Sequence, residues 1–194
     1  MTEFELYFGL GREHIMDING YDHILFVIAL CTIYQARDWK RVLILITAFT
    51  IGHSLTLALA ALNLIGVNSA LIEFLIPLTI FITAVGNIKN ANKNFSGQNV
   101  PLNYFFALFF GLIHGLGFSN YLKSLLGDEE SIVTPLFAFN LGLEVGQILI
   151  VLIFFGLAFV VQMFLNVSKR DWILVISSAV AGVAVILMIE TKFW

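Results

Sequence analysis

The chain has 194 residues, of which 59% are hydrophobic and only 12% are charged, with a net charge of -3. Soluble domains carry about 25% charged residues, so this composition excludes an ordinary soluble protein. The small negative charge and the lack of a basic run exclude nucleic acid as a partner. The composition predicts a polytopic membrane protein that contacts lipid.

Residues 1–13 mix aromatic and aliphatic side chains with Glu3 and Glu5, which predicts a short interfacial helix. Six apolar segments follow, bounded by charges, Asn/Gly clusters and Pro. Most of them match the roughly 20 residues needed to cross a hydrocarbon core. The predicted fold is an all-α bundle of six transmembrane helices plus the interfacial helix, in one integral membrane domain over residues 1–194. The predicted spans are 16–34, 42–62, 69–88, 102–122, 132–164 and 172–189.

The fifth segment is too long for a simple span. As one helix it would extend about 50 Å, well beyond a core of about 30 Å, so it must tilt, protrude or break. Thr134-Pro135, Gly142 and Gly146 are plausible positions for a bend. The glycines of the fourth segment are more typical of close helix packing than of a substrate channel; they are Gly111, Gly115 and Gly117.

Basic residues concentrate in the loops after segments one, three and five, where they are Arg37, Lys40, Arg41, Lys89, Lys93, Lys169 and Arg170. The opposite face carries fewer basic residues and an acidic run, namely Arg12, Lys123, Lys192 and Asp128-Glu129-Glu130. Because positively charged loops stay in the cytoplasm, both termini are predicted to lie outside.

All four histidines lie in or beside apolar segments, and the predicted topology places them in the outer half of the bilayer. Ionisable groups at membrane depth are costly, so they mark functional sites. Imidazole together with carboxylate suits first-row divalent metals such as zinc or nickel, and the absence of nearby cysteine argues against a thiolate site. The predicted metal ligands are His14, Asp22, His23, His53 and His114.

Several polar residues are predicted to support this site. Asn140, Glu144 and Gln147 are spaced i, i+4, i+7 and therefore share one helical face. That face is expected to meet the cluster, either as ligands or as residues that orient the ligands. Ser54 and Asp17 are assigned the same orienting role. Adjacent residues on a regular helix do not converge, so the Asp22-His23 pair predicts a helix start or kink next to Gly20.

Ordinary structural roles remain open for the same residues. A histidine in a membrane helix can be a neutral, hydrogen-bonded packing residue, which is the alternative for His53 and His114. Near the segment ends the alternatives are a solvated interfacial residue for His14, a helix cap for Asp17 and a partner of the helix dipole for Glu73.

Five stretches of the chain resemble, in the expected order, the HupE/UreJ family of small bacterial membrane proteins: 11–14, 20–26, 48–56, 110–118 and 139–147. That family is associated with hydrogenase and urease accessory systems and is regarded as a group of nickel permeases. The resemblance implies a bacterial inner membrane protein with its metal-recognition signature at Asp22 and His23. The family signature reads His, five residues, Asp-His, whereas here seven residues separate His14 from Asp22.

Two functions are compatible with one site. In a permease, the outer carboxylates and imidazoles strip water from a divalent, nickel-like cation and pass it inward, which predicts weak and exchangeable binding. In the alternative, a tightly held zinc ion activates water for a hydrolase or acyltransferase acting on a lipid or lipidated peptide at the outer leaflet. Glu144 or Glu73 would then act as general base. A structural metal in a membrane scaffold is a third possibility.

Overall fold

The computed structural model describes residues 2–66, 68–92, 100–126 and 132–194, and over these ranges the chain contains helices and no strand. A short 3-10 helix at Ala36–Asp38 leads into the third α-helix. The α-helices are α1 (Glu3–Ile15), α2 (Asp22–Cys31), α3 (Trp39–Ala61), α4 (Ser69–Asn90), α5 (Val100–Leu126), α6 (Val133–Leu165) and α7 (Lys169–Glu190).

Four of these helices, α3, α4, α6 and α7, are long and apolar enough to cross a membrane. Helix α2 and the Asn103–Ser119 part of α5 are shorter apolar helices. Large hydrophobic side chains remain exposed along α6, among them Ile153, Leu157 and Phe164. An apolar surface of this extent is costly in water and favourable in lipid. The prediction of an all-helical membrane protein is therefore confirmed, while the predicted number of six spans stays a prediction.

Helices α3 and α5 approach each other at backbone distance because glycines line their contact. A Cβ atom at Gly52 would overlap the carbonyl of Leu108, and one at Gly111 would overlap the carbonyl of Phe49. Gly115 lies in the same way against the backbone of His53. The predicted packing role of Gly111 and Gly115 is thus confirmed, and the two helices run in the same direction.

Helices α1 and α6 form a second pair of the same kind. A Cβ atom at Gly11 would overlap the carbonyl of Phe139, and one at Gly142 would overlap the carbonyl of Phe8. Gly146 faces Ile15. Helix α6 is continuous over its 33 residues, so Gly142 and Gly146 do not break it and serve as packing contacts instead. One face of α1 is correspondingly buried along α6.

The helix ends separate into two groups. At the first end, Asn103 donates a hydrogen bond to the Tyr34 hydroxyl, at 3.2 Å, and Ile173 packs in a cluster with Ile33 and Ala91. We call this the basic end because the described loop cations predicted to be cytoplasmic lie there: Arg37, Lys40, Arg41, Lys89, Lys169 and Arg170. Lys93 lies outside the described residues.

At the opposite end, Tyr7 near the start of α1 donates to the carbonyl of Leu125, at 3.4 Å, and Lys123 donates to Asn63, at 3.0 Å. The ring of Phe74 in the second turn of α4 contacts Trp194, with centroids 4.9 Å apart. The start of α1 and the end of the chain therefore lie at the same end of the bundle. The acidic run at 128–130 lies outside the described residues.

The first predicted segment, 16–34, differs from the structure, because its helix covers only Asp22–Cys31. Ten residues of helix extend about 15 Å, half of a hydrocarbon core. Residues 16–21 form a loop in which the Asp17 carboxylate accepts the backbone N–H of Asn19, at 2.9 Å. The predicted helix start after Gly20 is confirmed. The polar residues of this loop satisfy their own backbone and so interrupt the helix.

The glycine contacts make a testable prediction about stability. Gly111→Val places a branched side chain against the α3 backbone, and such overpacking costs about 1–3 kcal/mol, or a Tm lower by roughly 2–10 °C for a chain of this size. Gly182→Val is the matched control, since nothing lies within 4 Å of its added Cβ. Thermal denaturation of the detergent-solubilised protein measures both. Equal Tm values for the two variants would contradict the packing described here.

Candidate metal centre

Four histidines from four helices converge in the bundle. His14 is the penultimate residue of α1 and His23 is the second residue of α2, while His53 and His114 lie within α3 and α5. One nitrogen from each of His14, His23 and His53 lies within 4.8 Å of the other two. The ring of His114 adjoins the group, with its centroid 5.1 Å from that of His23. The structure thus brings together all four histidines predicted from the sequence.

Five nitrogens of this cluster are buried and have no hydrogen-bond partner among the described residues. The Nε2 atoms of all four histidines are in this state, and so is Nδ1 of His53. Buried polar atoms are normally paired, and each unpaired one costs about 1–3 kcal/mol. A histidine that serves only in packing would have its nitrogens paired, whereas His53 has neither paired. Nitrogen lone pairs gathered in this way suit a divalent metal ion, which binds neutral imidazole.

Two of the imidazoles are oriented by neighbouring acceptors. Nδ1 of His23 lies 3.1 Å from Oδ1 of Asp22, and Nδ1 of His114 lies 2.9 Å from the carbonyl oxygen of Phe110. Metal-binding histidines usually donate their second N–H to such an oxygen, which fixes the tautomer and leaves Nε2 free for the metal. The same Asp22 oxygen accepts the backbone N–H of His23, at 2.9 Å, because α2 begins at this pair.

A cavity of about 1170 Å³ leads to the cluster, and His14, His23 and His114 are part of its wall. It lies at the end opposite the basic end, between the 16–21 loop and the start of α4, and we call this the cavity end. Four carboxylates line it: Glu13, Asp17, Asp22 and Glu73. Among the described residues that line it, Arg12 is the one with a Lys or Arg side chain. A cleft lined mostly by negative charge concentrates cations at its mouth.

Phenylalanine rings that were not predicted from the sequence as part of the site surround the imidazoles. The ring of Phe118 lies 3.8 Å from that of His14, and Phe139 stacks on His53 at 6.4 Å. Phe49 lies 5.1 Å from His114. The sequence spacing could have indicated two of these rings. Phe49 and Phe118 are each four residues from a cluster histidine and therefore share its helix face. These rings cover the faces of the imidazoles with apolar groups.

The polar residues of α6 do not line the cavity. Glu144 accepts a hydrogen bond from the Thr47 hydroxyl, and the amide of Gln147 is paired with Thr50, at 2.9 Å. Both threonines lie in α3 on the basic-end side of His53. Asn140 donates to the carbonyl of its own helix at Leu136, at 2.7 Å.

The remaining predicted residues have local partners. Ser54 donates to the carbonyl of Thr50, at 2.6 Å. Asp17 stabilises the 16–21 loop and also lines the cavity. Glu73 is exposed on the cavity wall, just beyond the first turn of α4. The orienting role of Ser54 and the roles of Asp17 and Glu73 toward a metal stay predictions.

Apolar helices around a buried group of unpaired imidazoles define a helical membrane protein with a candidate metal centre. The chain belongs to the HupE/UreJ family, because the family model described as HupE / UreJ protein matches residues 1–192. Neither the curated proteins nor the solved structures gave a match.

The contact between Asp22 and His23 makes a prediction about metal affinity. Asp22→Asn weakens the acceptor that orients the imidazole, so we expect a loss of affinity of about 10–100-fold, as is usual for residues that orient metal ligands. The visible absorption of Co²⁺ titrated into the detergent-solubilised protein reports the affinity. Asp171→Asn, at the exposed start of α7, is the control and is expected to match the wild type. Unchanged affinity in Asp22→Asn would contradict the orienting role.

Proposed function

We propose that the protein is a permease for a divalent transition metal such as nickel, with the metal as its substrate. The observation that carries the proposal is the group of unpaired imidazole nitrogens at the inner end of a carboxylate-lined cavity. Membership of the HupE/UreJ family supports it, since that family is associated with transport of nickel and other metals.

The proposed ligands are His14, His23, His53 and His114, with Asp22 orienting or ligating. Two imidazole nitrogens bound to one zinc-like ion lie about 3.4 Å apart, given metal–nitrogen bonds of about 2.0–2.1 Å. One nitrogen from each of His14, His23 and His53 lies within 4.8 Å of the other two, so small rotations of these rings bring three nitrogens onto one ion. Nickel, cobalt and zinc all bind imidazole, and the geometry of the site decides among them.

The proposed arrangement in the membrane has six segments that cross it in alternating directions. They are α3 to α7 and the first segment, 16–34, in which the short helix α2 covers only part of the depth. Helix α1 enters from the cavity end beside α6, and the 16–21 loop separates it from α2. Transporters commonly bind their substrates where a membrane helix is interrupted in this way. The loop cations at the basic end support a cytoplasmic location for that end. In the proposed orientation, the cavity and both termini face the periplasm across a bacterial inner membrane.

The zinc hydrolase alternative needs a carboxylate that faces a metal-bound water. Glu144 is paired with Thr47 and does not line the cavity. Glu73 does line the cavity, yet nothing among the described residues relates it to a substrate. The hydrolase, like the structural metal, stays a prediction from sequence without a specific structural observation in its favour.

Uptake of Ni²⁺ or Co²⁺ into proteoliposomes tests the proposed transport. The wild type is expected to show saturable uptake, and His53→Ala is expected to lose about 90% or more of it, because removing a ligand lowers metal affinity strongly. Thr83→Val is the control, since this threonine is bonded within α4 to the carbonyl of Thr79, at 2.9 Å.

A different result would reject the permease. If the wild type shows no saturable uptake and instead retains one metal ion through prolonged chelation, the site is a fixed one. Catalysis or a structural role would then be favoured.

A further inference from the structure

We infer that the chain carries a second cation site, built from oxygen atoms at the contact between α6 and α3, which receives the metal from the histidines on its way to the basic end. This inference rests on the proposed transport. The residues concerned are Thr47, Thr50, Asn140, Glu144 and Gln147.

Three of these residues form a row along α6. Asn140, Glu144 and Gln147 share one helix face and extend over about 10 Å. The row begins at the level of the metal centre, because Phe139, the residue before Asn140, contacts the rings of His14 and His53.

Helix α6 runs from the cavity end toward the basic end. Its later part reaches the start of α7, where Phe154 lies 5.7 Å from Trp172. The row therefore leads from the histidines toward the basic end.

The facing side of α3 supplies hydroxyl groups. Thr50 lies one helical turn from His53, and Thr47 lies about two turns from it, both on the basic-end side. Thr47 donates to Glu144 and Thr50 is paired with Gln147. The hydroxyls of α3 thus make two polar contacts with α6, one with a carboxylate and one with an amide.

Hydrogen-bond counting assigns an unpaired oxygen to Gln147. The Thr50 hydroxyl lies 3.1 Å from the carbonyl of Ile46 and 2.9 Å from Oε1 of Gln147, but a hydroxyl has only one proton to donate. Both contacts are satisfied if the Gln147 amide is turned over, so that its NH₂ group donates to Thr50. The amide oxygen then takes the position of the present Nε2, which is buried and without a partner.

A second amide oxygen is also unpaired. Oδ1 of Asn140 is buried without a hydrogen-bond partner, while the Nδ2 group of the same side chain is occupied at Leu136. Unpaired amide oxygens therefore lie one turn before and one turn after Glu144 along α6. Oxygen lone pairs left free in a buried position are suited to bind a cation.

The carboxylate of Glu144, between the two amide oxygens, completes the proposed second site. Of the Asp and Glu residues in the described parts of the chain, Glu144 is the one located between the histidines and the loops of the basic end. A carboxylate at membrane depth is costly and marks a functional position. Carboxylate, hydroxyl and amide oxygens hold transition metals less tightly than imidazoles do, so an ion transferred to them is ready to leave.

The test compares metal binding with metal uptake in Glu144→Gln, which removes the charge and keeps the shape. Co²⁺ affinity in detergent is expected to depend on the histidines, so we expect it to stay within about twofold of the wild type. A tenfold change would correspond to about 1.4 kcal/mol. The variant's initial rate of Co²⁺ uptake into proteoliposomes is expected to fall by about tenfold or more.

Matched variants support the comparison. Thr47→Val is expected to lower uptake by a smaller factor, because it removes one hydroxyl and leaves the carboxylate. Thr83→Val makes the same change at membrane depth in α4 and is expected to leave uptake unchanged. Glu144→Asp keeps the charge and is expected to retain more uptake than Glu144→Gln. Wild-type Co²⁺ affinity in each variant shows that the fold is intact.

The outcomes separate the second site from the permease itself. Wild-type uptake by Glu144→Gln, beside lost uptake in His53→Ala, overturns the second site and leaves the permease standing. A loss of Co²⁺ affinity in Glu144→Gln as large as in His53→Ala, with an unchanged Tm, assigns Glu144 to the first site and also overturns the inference. Absence of saturable uptake in the wild type rejects the permease, and the second site with it.

Discussion

The constraint on which the structure depends is the burial of four imidazoles whose Nε2 nitrogens have no hydrogen-bond partner among the described residues. Each unpaired nitrogen in apolar surroundings lowers the stability of the fold. The surrounding helices nevertheless hold several such nitrogens together. Glycines allow this arrangement, because they bring α3 against α5 and α1 against α6 at backbone distance. Phenylalanine rings fill the space around the histidines. The bundle is therefore organised around a buried group of histidines.

The fold was predictable from composition and segment length, because lipid requires helices whose lengths match the hydrocarbon core. The division of Lys and Arg between loops also agrees with the two ends of the bundle seen in the described residues. The break before α2 was harder to predict, since the apolar character continues through Ile18, which is 81% exposed. Only the polar residues around it, with Gly20, indicated that the helix begins at Asp22.

The candidate site was predicted in part. The four histidines were identified because ionisable residues are rare in apolar segments, and Asp22 because it adjoins His23. The position of Glu144 was not predictable, since helical spacing shows which residues share a face but not which helix that face meets. Its pairing with Thr47 depends on how α6 crosses α3. The surrounding phenylalanines were equally hidden, because a chain with 19 of them gives little reason to single out a few.

Histidines of the candidate metal centre come from both glycine-packed pairs. His53 and His114 belong to the pair formed by α3 and α5, whereas His14 belongs to the pair formed by α1 and α6. His23 stands at the start of the short helix that follows the loop. An ion bound by all four would link the two helix pairs. Because the ligands come from both pairs, the relative position of the pairs would determine how many imidazoles can reach one ion.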